Sequence, residues 1–428
     1  MKNKFIKSTL ILILGGFLTK ILGMLIKIIV TRNISVEAMA NYMLVIPSYN
    51  LFITIVSGGL QIAVSKLISE NKLQKKKIII NALIISMTIS ILLIILVIIL
   101  AKPIAILLHN EELYIPILSS LLSIPFIGIS NVLKGYFFGQ NKMHVQVISN
   151  FLEQIIRIIM FITILPRINN ELLSVTFIIG SNLVNEFLSV IILSLFINNK
   201  KLDLKDIKID NNIKKEILKT SIPSTISRII GTISYFFEPI IITNFLLLNG
   251  YSKTYIKIEY GIITGYVMQL LLLPSFFSMA ISQSIIPLIS NAFINKKYNY
   301  IKKKIKEIIL LSFMIGFIYI LILLINPSYF MKLIYNQNEG INYLKQMSII
   351  FILLYIQSPL SSILQSINKA KEQMFITTIG VITKFILTII FSYMHFGIYA
   401  YIYPMLLNII FVTALDYIII RKSINSFL

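Results

Sequence analysis

Long apolar runs alternate with short loops along the whole chain, and successive loops are alternately rich and poor in lysine. Nearly all of the runs reach the roughly 20 residues that cross a bilayer core as a helix, the shortest being 308–325. The pattern predicts an all-α, polytopic membrane protein with about 12 transmembrane helices. The predicted spans are 8–30, 42–64, 78–100, 114–138, 145–165, 172–197, 217–248, 260–288, 308–325, 343–367, 375–394 and 398–420.

Composition supports lipid as the main solvent of the chain. Hydrophobic residues make up 57% and charged residues only 13%, so a water-soluble fold would leave much apolar surface exposed. The net charge of +22 in a soluble protein would suggest nucleic acid, but here the lysines lie on alternate loops. That distribution indicates membrane topology and contact with anionic headgroups.

The positive charges also predict an orientation. Lysine and arginine near span ends are retained on the cytoplasmic side. If the N-terminus is cytoplasmic, the cytoplasmic segments hold 25 lysines and arginines and the opposite side holds seven. We therefore expect a protein of the cell membrane with both termini in the cytoplasm.

The longest hydrophilic stretch follows the sixth span and divides the chain into halves. We expect an N-terminal six-helix bundle at 1–198, a cytoplasmic linker at 199–216 and a C-terminal six-helix bundle at 217–428. An even number of spans per half makes any internal repeat parallel, with a central cavity and the substrate between the bundles. Register supports the repeat, because Lys142 and Arg157 match Lys369 and Lys384 at a constant offset.

Charges inside the spans are the candidate functional groups, since each costs at least ~2.5 kcal/mol at a helix centre unless it is paired or hydrated. Glu153 and Arg157 lie four residues apart on one helix face and can pair. A purely structural salt bridge is the alternative role for them. Lys134 and Asp416 lie near span ends, where we expect them at the membrane interface.

The remaining intramembrane cations suit an anionic substrate such as a lipid phosphate or pyrophosphate. Lys20 and Lys27 are seven apart on one face of the first helix, although Lys27 is also near enough to an interface to snorkel. The candidate coupling-ion or proton site is Glu238. The predicted substrate-binding residues are Lys20, Lys27, Glu153, Arg157, Arg228 and Lys384.

The sequence has no sign of enzymatic or cofactor chemistry. It contains neither a G-x-x-x-x-G-K-[ST] phosphate loop nor an H-E-x-x-H motif, and its three histidines are scattered among loops. The absence of cysteine excludes disulfides and thiolate metal sites. We expect no catalytic residue, no metal and no cofactor.

Three stretches resemble the stage V sporulation protein B family, a branch of the multidrug/oligosaccharidyl-lipid/polysaccharide flippase superfamily. They are TLILILGGFLTKILG at 9–23, SGGLQIAVSK at 57–66, and GYFFGQNKM at 135–143 leading to EQIIR at 153–157. The resemblance implies two six-helix bundles around a cavity, alternating access, and export of an isoprenoid-pyrophosphate-linked saccharide or a peptidoglycan precursor. The implied partners are that lipid, the bilayer and a coupling ion, H⁺ or Na⁺.

The resemblance also suggests roles for particular residues. In the related lipid II flippases, basic residues on the first two helices face the cavity; Lys20 and Arg32 match this pattern, while Ile26 replaces the central arginine. Lys20, Arg157 and Lys384 would offset phosphate charge, and Glu153 would hold Arg157. Two alternatives remain: a cation-coupled multidrug antiporter of the same superfamily, and a non-transporting membrane scaffold in envelope or spore assembly.

Overall fold

A computed structural model of the chain describes residues 2–70, 73–140, 142–197 and 210–425. Within these ranges the regular structure is helical and contains no strand. The helices are α1 Lys2–Asn33, α2 Val36–Ser57, α3 Leu60–Glu70, α4 Lys75–Leu107, α5 Tyr114–Ser119, α6 Ile124–Gly139, α7 Met143–Thr163, α8 Glu171–Gly180, α9 Asn182–Leu195, α10 Asn211–Leu248, α11 Lys253–Gly261, α12 Met268–Leu271, α13 Ser275–Ile294, α14 Tyr298–Ile325, α15 Pro327–Tyr335, α16 Ile341–Ser366, α17 Ala370–Tyr393 and α18 Tyr399–Asn425.

These helices confirm the prediction of an all-α, polytopic membrane protein. Ten helical segments in the described ranges are long and apolar enough to cross a bilayer. α1 covers the first predicted span, and α11 to α13 together cover the eighth. Their outward surfaces are apolar, as at Ile91, Leu92 and Ile99 of α4, which are 58%, 63% and 64% exposed and would face lipid.

The sequence pattern did not predict α15, a short helix between the spans α14 and α16. Asn326 caps the N-terminus of this helix, because its side-chain oxygen accepts a hydrogen bond from the Tyr329 N–H. Pro327 is the first residue of the helix. Met331 and Tyr335 are buried, so one face of the helix packs against the protein. At nine residues α15 is too short to cross the bilayer.

Packing divides the chain into two units, residues 1–240 and 241–428. The division lies inside α10, so most of this helix belongs to the N-terminal unit. Ile213 and Ile217 of α10 share a core with Leu60 of α3 and Ile78 of α4. Most of the proposed linker, 198–209, lies outside the described residues, and the three-part division of the chain stays a prediction.

In the N-terminal unit, α6 lies against α3, α4 and α9. Glycines allow the approach to α3: a Cβ atom on Gly135 would lie 2.7 Å from the carbonyl oxygen of Gln61, and one on Gly139 would lie 2.7 Å from that of Ser65. Small residues four apart commonly let membrane helices pack closely. In the C-terminal unit, α16 has the equivalent central place, packed against α13, α14 and α18.

The second span of each half is interrupted. Gly58 separates α2 from α3 with a φ of 32°, a conformation that side chains rarely adopt. In the eighth span, residues 262–267 form a π-helical segment, and the helix breaks again before α13. Two tyrosines donate to carbonyls beside this break: the Tyr319 hydroxyl donates at 2.8 Å to Leu270, whose carbonyl also accepts from the Leu273 N–H, and the Tyr355 hydroxyl donates to Leu271.

Two equivalent turns support the predicted repeat. Lys142 precedes α7 and Lys369 precedes α17. The Lys142 N–H donates to the Phe137 carbonyl at 2.9 Å, and the Lys369 N–H donates to the Leu364 carbonyl at 2.8 Å, so each lysine bonds to the residue five before it. The matched positions of the two halves therefore share their backbone geometry as well as their sequence.

Candidate functional site

Glu153 of α7 is held by groups on its own and neighbouring helices. Its Oε1 lies 3.6 Å from the Lys134 ammonium of α6, with side chains only 12% and 11% exposed. The Ser149 hydroxyl donates to the same carboxylate at 2.9 Å and lies 3.0 Å from the Ser189 hydroxyl of α9. A buried carboxylate is tolerated when it is paired and hydrogen-bonded in this way.

Arg157 has a different partner from the one expected. Its Nη2 donates to the side-chain oxygen of Asn182 at 2.5 Å. The break between α8 and α9 fixes that amide, because the Asn182 nitrogen donates to the Ile179 carbonyl at 2.9 Å and so turns the oxygen towards the guanidinium. Arg157 thus bonds to a neutral group, and the prediction that Glu153 holds it is wrong for the described part of the chain.

Two tyrosines of α2 lie near this arginine. Tyr42 and Tyr49 both lie within electrostatic range of Arg157, and Tyr49 is only 6% exposed. Glu186 of α9 also acts on Tyr49, while its Oε2 accepts a hydrogen bond from the buried Ser130 of α6 at 2.6 Å. We call this set of side chains on α2, α6, α7 and α9 the polar interior of the N-terminal unit.

α10 continues the polar interior. Tyr235 lies within electrostatic range of Tyr42 and of Glu238, which places the candidate coupling carboxylate near the interior. Glu238 is half-buried. Arg228, one of the candidate substrate-binding residues, donates from Nη1 to the Gly58 carbonyl at 3.1 Å and so helps to close the break in the second span.

Lys20 and Lys27 of α1 lie on the exposed surface of the N-terminal unit. α1 packs along α7, and a Cβ on Gly15 would meet the Val147 side chain at 2.2 Å. Lys20 and Lys27 are both exposed and act on each other electrostatically, as residues on one helix face should. They therefore form a cationic pair on the helix next to the one that carries Arg157.

Lys384, the repeat counterpart of Arg157, belongs to the C-terminal unit. Its ammonium lies 5.2 Å from the ring centre of Phe385, and the side chain is half-buried. This is a cation–π distance.

Two buried charges were not recognised from the sequence. Lys134 is 9% exposed and Asp416 is fully buried, whereas both were predicted at the interface. Asp416 accepts a hydrogen bond from the Ser361 hydroxyl of α16 at 3.0 Å. Lys134 and its partner Glu153 lie on the two helices of one hairpin, and hydropathy does not indicate which of their faces meet.

Comparison with known sequences places the chain in a family. The profile of the polysaccharide biosynthesis protein family matches residues 5–293, and the MatE profile matches 263–390. Stage V sporulation protein B of Bacillus subtilis (strain 168) is 30% identical over 398 residues, covering 90% of this chain and 77% of that protein. Lipid II flippase MurJ of the same organism is 23% identical, covering 91% of this chain and 77% of the flippase.

Solved structures share the fold. An inward-facing multidrug resistance MATE family transporter of the MOP superfamily has a TM-score of 0.77 at 15% identity, covering 96% of this chain and 95% of that one. A MOP superfamily transporter from Pyrococcus furiosus, described as having a binding pocket of reverse polarity, has a TM-score of 0.59 at 14% identity. The fold, the profile match and the 30% identity to stage V sporulation protein B agree. The chain therefore belongs to the polysaccharide biosynthesis protein family.

Proposed function

We propose that this chain is a membrane transporter, a flippase, that exports a lipid-linked saccharide or a peptidoglycan precursor by alternating access. Its substrate would carry an isoprenoid pyrophosphate. The family, the relatives named as a stage V sporulation protein and a lipid II flippase, and the transporter fold support this proposal.

The observation that carries the proposal is the neutral partner of Arg157. The carboxylate nearest to it along its own helix, Glu153, is engaged by Lys134. Asn182 accepts from one guanidinium nitrogen and leaves the positive charge uncompensated by that contact. A guanidinium has five N–H donors in a planar fork that matches phosphate oxygens, so the remaining donors suit a pyrophosphate.

The other candidate residues would act around this arginine. Lys20 and Lys27 would attract the anionic head group along α1, and Lys384 would supply the equivalent cation in the C-terminal unit. Arg228 would add charge at the break of the second span, and Glu238 would bind the coupling ion, H⁺ or Na⁺. Interrupted spans at corresponding positions of two halves are a common feature of transporter substrate sites.

The proposal includes a location and an orientation. The protein would be a multi-pass protein of the cell membrane with both termini in the cytoplasm, because loops rich in lysine are preferentially retained on that side. The bilayer and the lipid-linked saccharide would then be its partners, with the head group taken up from the cytoplasmic leaflet.

The test is a flipping assay with purified protein in liposomes that contain a fluorescent undecaprenyl-pyrophosphate-linked saccharide. We expect Arg157→Ala to slow flipping roughly 10- to 100-fold, the loss that follows removal of hydrogen bonds to a charged group. Arg157→Lys should retain part of the rate. The matched control is Lys304→Ala, which removes the same charge from an exposed ion pair with Glu307.

The outcomes separate the proposal from its alternatives. A folded Arg157→Ala protein that flips as fast as wild type would contradict the assigned site. Wild-type protein that flips no lipid-linked saccharide but exports a cationic dye would support the multidrug antiporter, which the MatE match at 263–390 favours. Protein that moves neither substrate would support a scaffold.

A further inference from the structure

A groove on the C-terminal unit combines an apolar wall with a basic mouth. Its volume is about 800 Å³, and it lies between α14, α16 and α18. The apolar lining includes Ile309, Leu310, Phe313, Leu353, Ile410 and Tyr417. Several of these side chains are strongly exposed, Leu310 by 59% and Tyr417 by 44%.

The mouth of the groove carries three cations. Lys302 and Lys306 come from the first turns of α14, and Arg421 comes from the last turns of α18. All three are exposed. The neighbouring carboxylate, Glu307, is paired with Lys304 at 2.5 Å, so it does not neutralise the mouth.

The depth of the groove fits one leaflet of a bilayer. From Arg421 to Ile410 the α18 wall extends about 16 Å at the helical rise of about 1.5 Å per residue. Half of a hydrocarbon core of roughly 30 Å is nearly the same length. An acyl chain lying along the groove would thus reach from the headgroup level to the middle of the membrane.

A polar atom inside the groove lacks a partner. Thr413 lines the groove and is only 7% exposed, and its hydroxyl has no hydrogen-bond partner among the described residues. A buried hydroxyl without a partner costs free energy that a bound molecule can recover.

We infer that this groove is a binding site for an anionic phospholipid, whose phosphate lies against Lys302, Lys306 and Arg421 and whose acyl chains fill the apolar wall. Basic pockets between transmembrane helices at the cytoplasmic side bind such head groups. The site is independent of the proposed transport function, because none of the proposed substrate-binding or coupling residues lines it.

The experiment is native mass spectrometry of the purified full chain in detergent, titrated with cardiolipin or with zwitterionic phosphatidylethanolamine. The charge variant is Lys302→Ala/Lys306→Ala/Arg421→Ala. A basic residue near a membrane surface contributes roughly fivefold to anionic lipid binding, so we expect cardiolipin affinity to fall by roughly 100-fold. The matched control, Lys297→Ala/Lys303→Ala/Lys422→Ala, removes equal charge from exposed neighbours outside the lining and should bind nearly as well as wild type.

A second variant tests the apolar wall without changing charge. Ala414 lines the groove and is exposed, so Ala414→Trp should fill the space while leaving the fold intact, as checked by thermal unfolding. We expect it to reduce binding of both lipids. The inference would be overturned if the charge variant and its control lose lipid binding equally, or if Ala414→Trp leaves binding unaffected. It would also be overturned if a second copy of the chain covers the groove instead of lipid.

Discussion

At the scale of single residues, the Lys134 and Glu153 pair shows that buried charges in this protein pair between helices. The spacing of Glu153 and Arg157 allowed a pair within one helix, yet the carboxylate pairs across a helix hairpin. The sequence could indicate that charges lie inside the spans, since that requires only hydropathy. It could not indicate which charges meet, because that depends on the rotation of each helix about its axis.

We predict that Lys134→Met destabilises the protein by about 3 kcal/mol, because it leaves a buried carboxylate without its cation. The double variant Lys134→Met/Glu153→Gln should recover most of that loss, since both charges are then absent. Thermal unfolding in detergent measures both changes. If the single variant is as stable as wild type, the ion pair does not compensate the buried charge.

At the scale of helices, close contact depends on glycines whose role hydropathy does not reveal. Gly135 and Gly139 bring α6 against the backbone of α3, whereas Gly16 and Gly23 of α1 have open space around them. All four lie in apolar runs and look alike in the sequence. Only the packing of the neighbouring helix distinguishes a contact glycine from an exposed one.

We predict that Gly135→Ala destabilises the N-terminal unit by about 1–3 kcal/mol, because the added methyl group would overlap the Gln61 backbone. Gly23→Ala is the matched control and should be neutral or stabilising by up to about 1 kcal/mol, since alanine favours a helix. Unfolding temperatures of the two variants test this difference. Equal values would mean that α3 moves aside without cost.

At the scale of the whole molecule, the helical class and the positions of the spans followed from the sequence because lipid requires long apolar helices. The interruptions did not follow. The π-helical segment at 262–267 has the sequence IITGYV, which hydropathy does not distinguish from an ordinary span. The tyrosines that donate to Leu270 and Leu271 at the break after it, Tyr319 and Tyr355, lie on distant helices. α15 was missed because it is shorter than a span and lies between two predicted ones.

We predict opposite accessibility for two exposed positions, Glu112 and Lys303. The chain has no cysteine, so a single introduced thiol is a unique label site. A membrane-impermeant maleimide should label Glu112→Cys in intact cells and Lys303→Cys only after permeabilisation. The unsubstituted chain is the control, and the reverse labelling pattern would place both termini outside.

Tyr355, which donates to a carbonyl at the break in the eighth span, affects how natural variation in this chain should be judged. Exchange of tyrosine for phenylalanine keeps size and aromaticity, and substitution scores treat it as mild. At 355 the exchange would leave the Leu271 carbonyl of a membrane helix without its tyrosine donor, whereas at 319 the Leu270 carbonyl would keep the Leu273 N–H at 3.1 Å. A survey of variants should therefore find phenylalanine depleted at 355 and tolerated at exposed Tyr329, although the two exchanges are chemically identical.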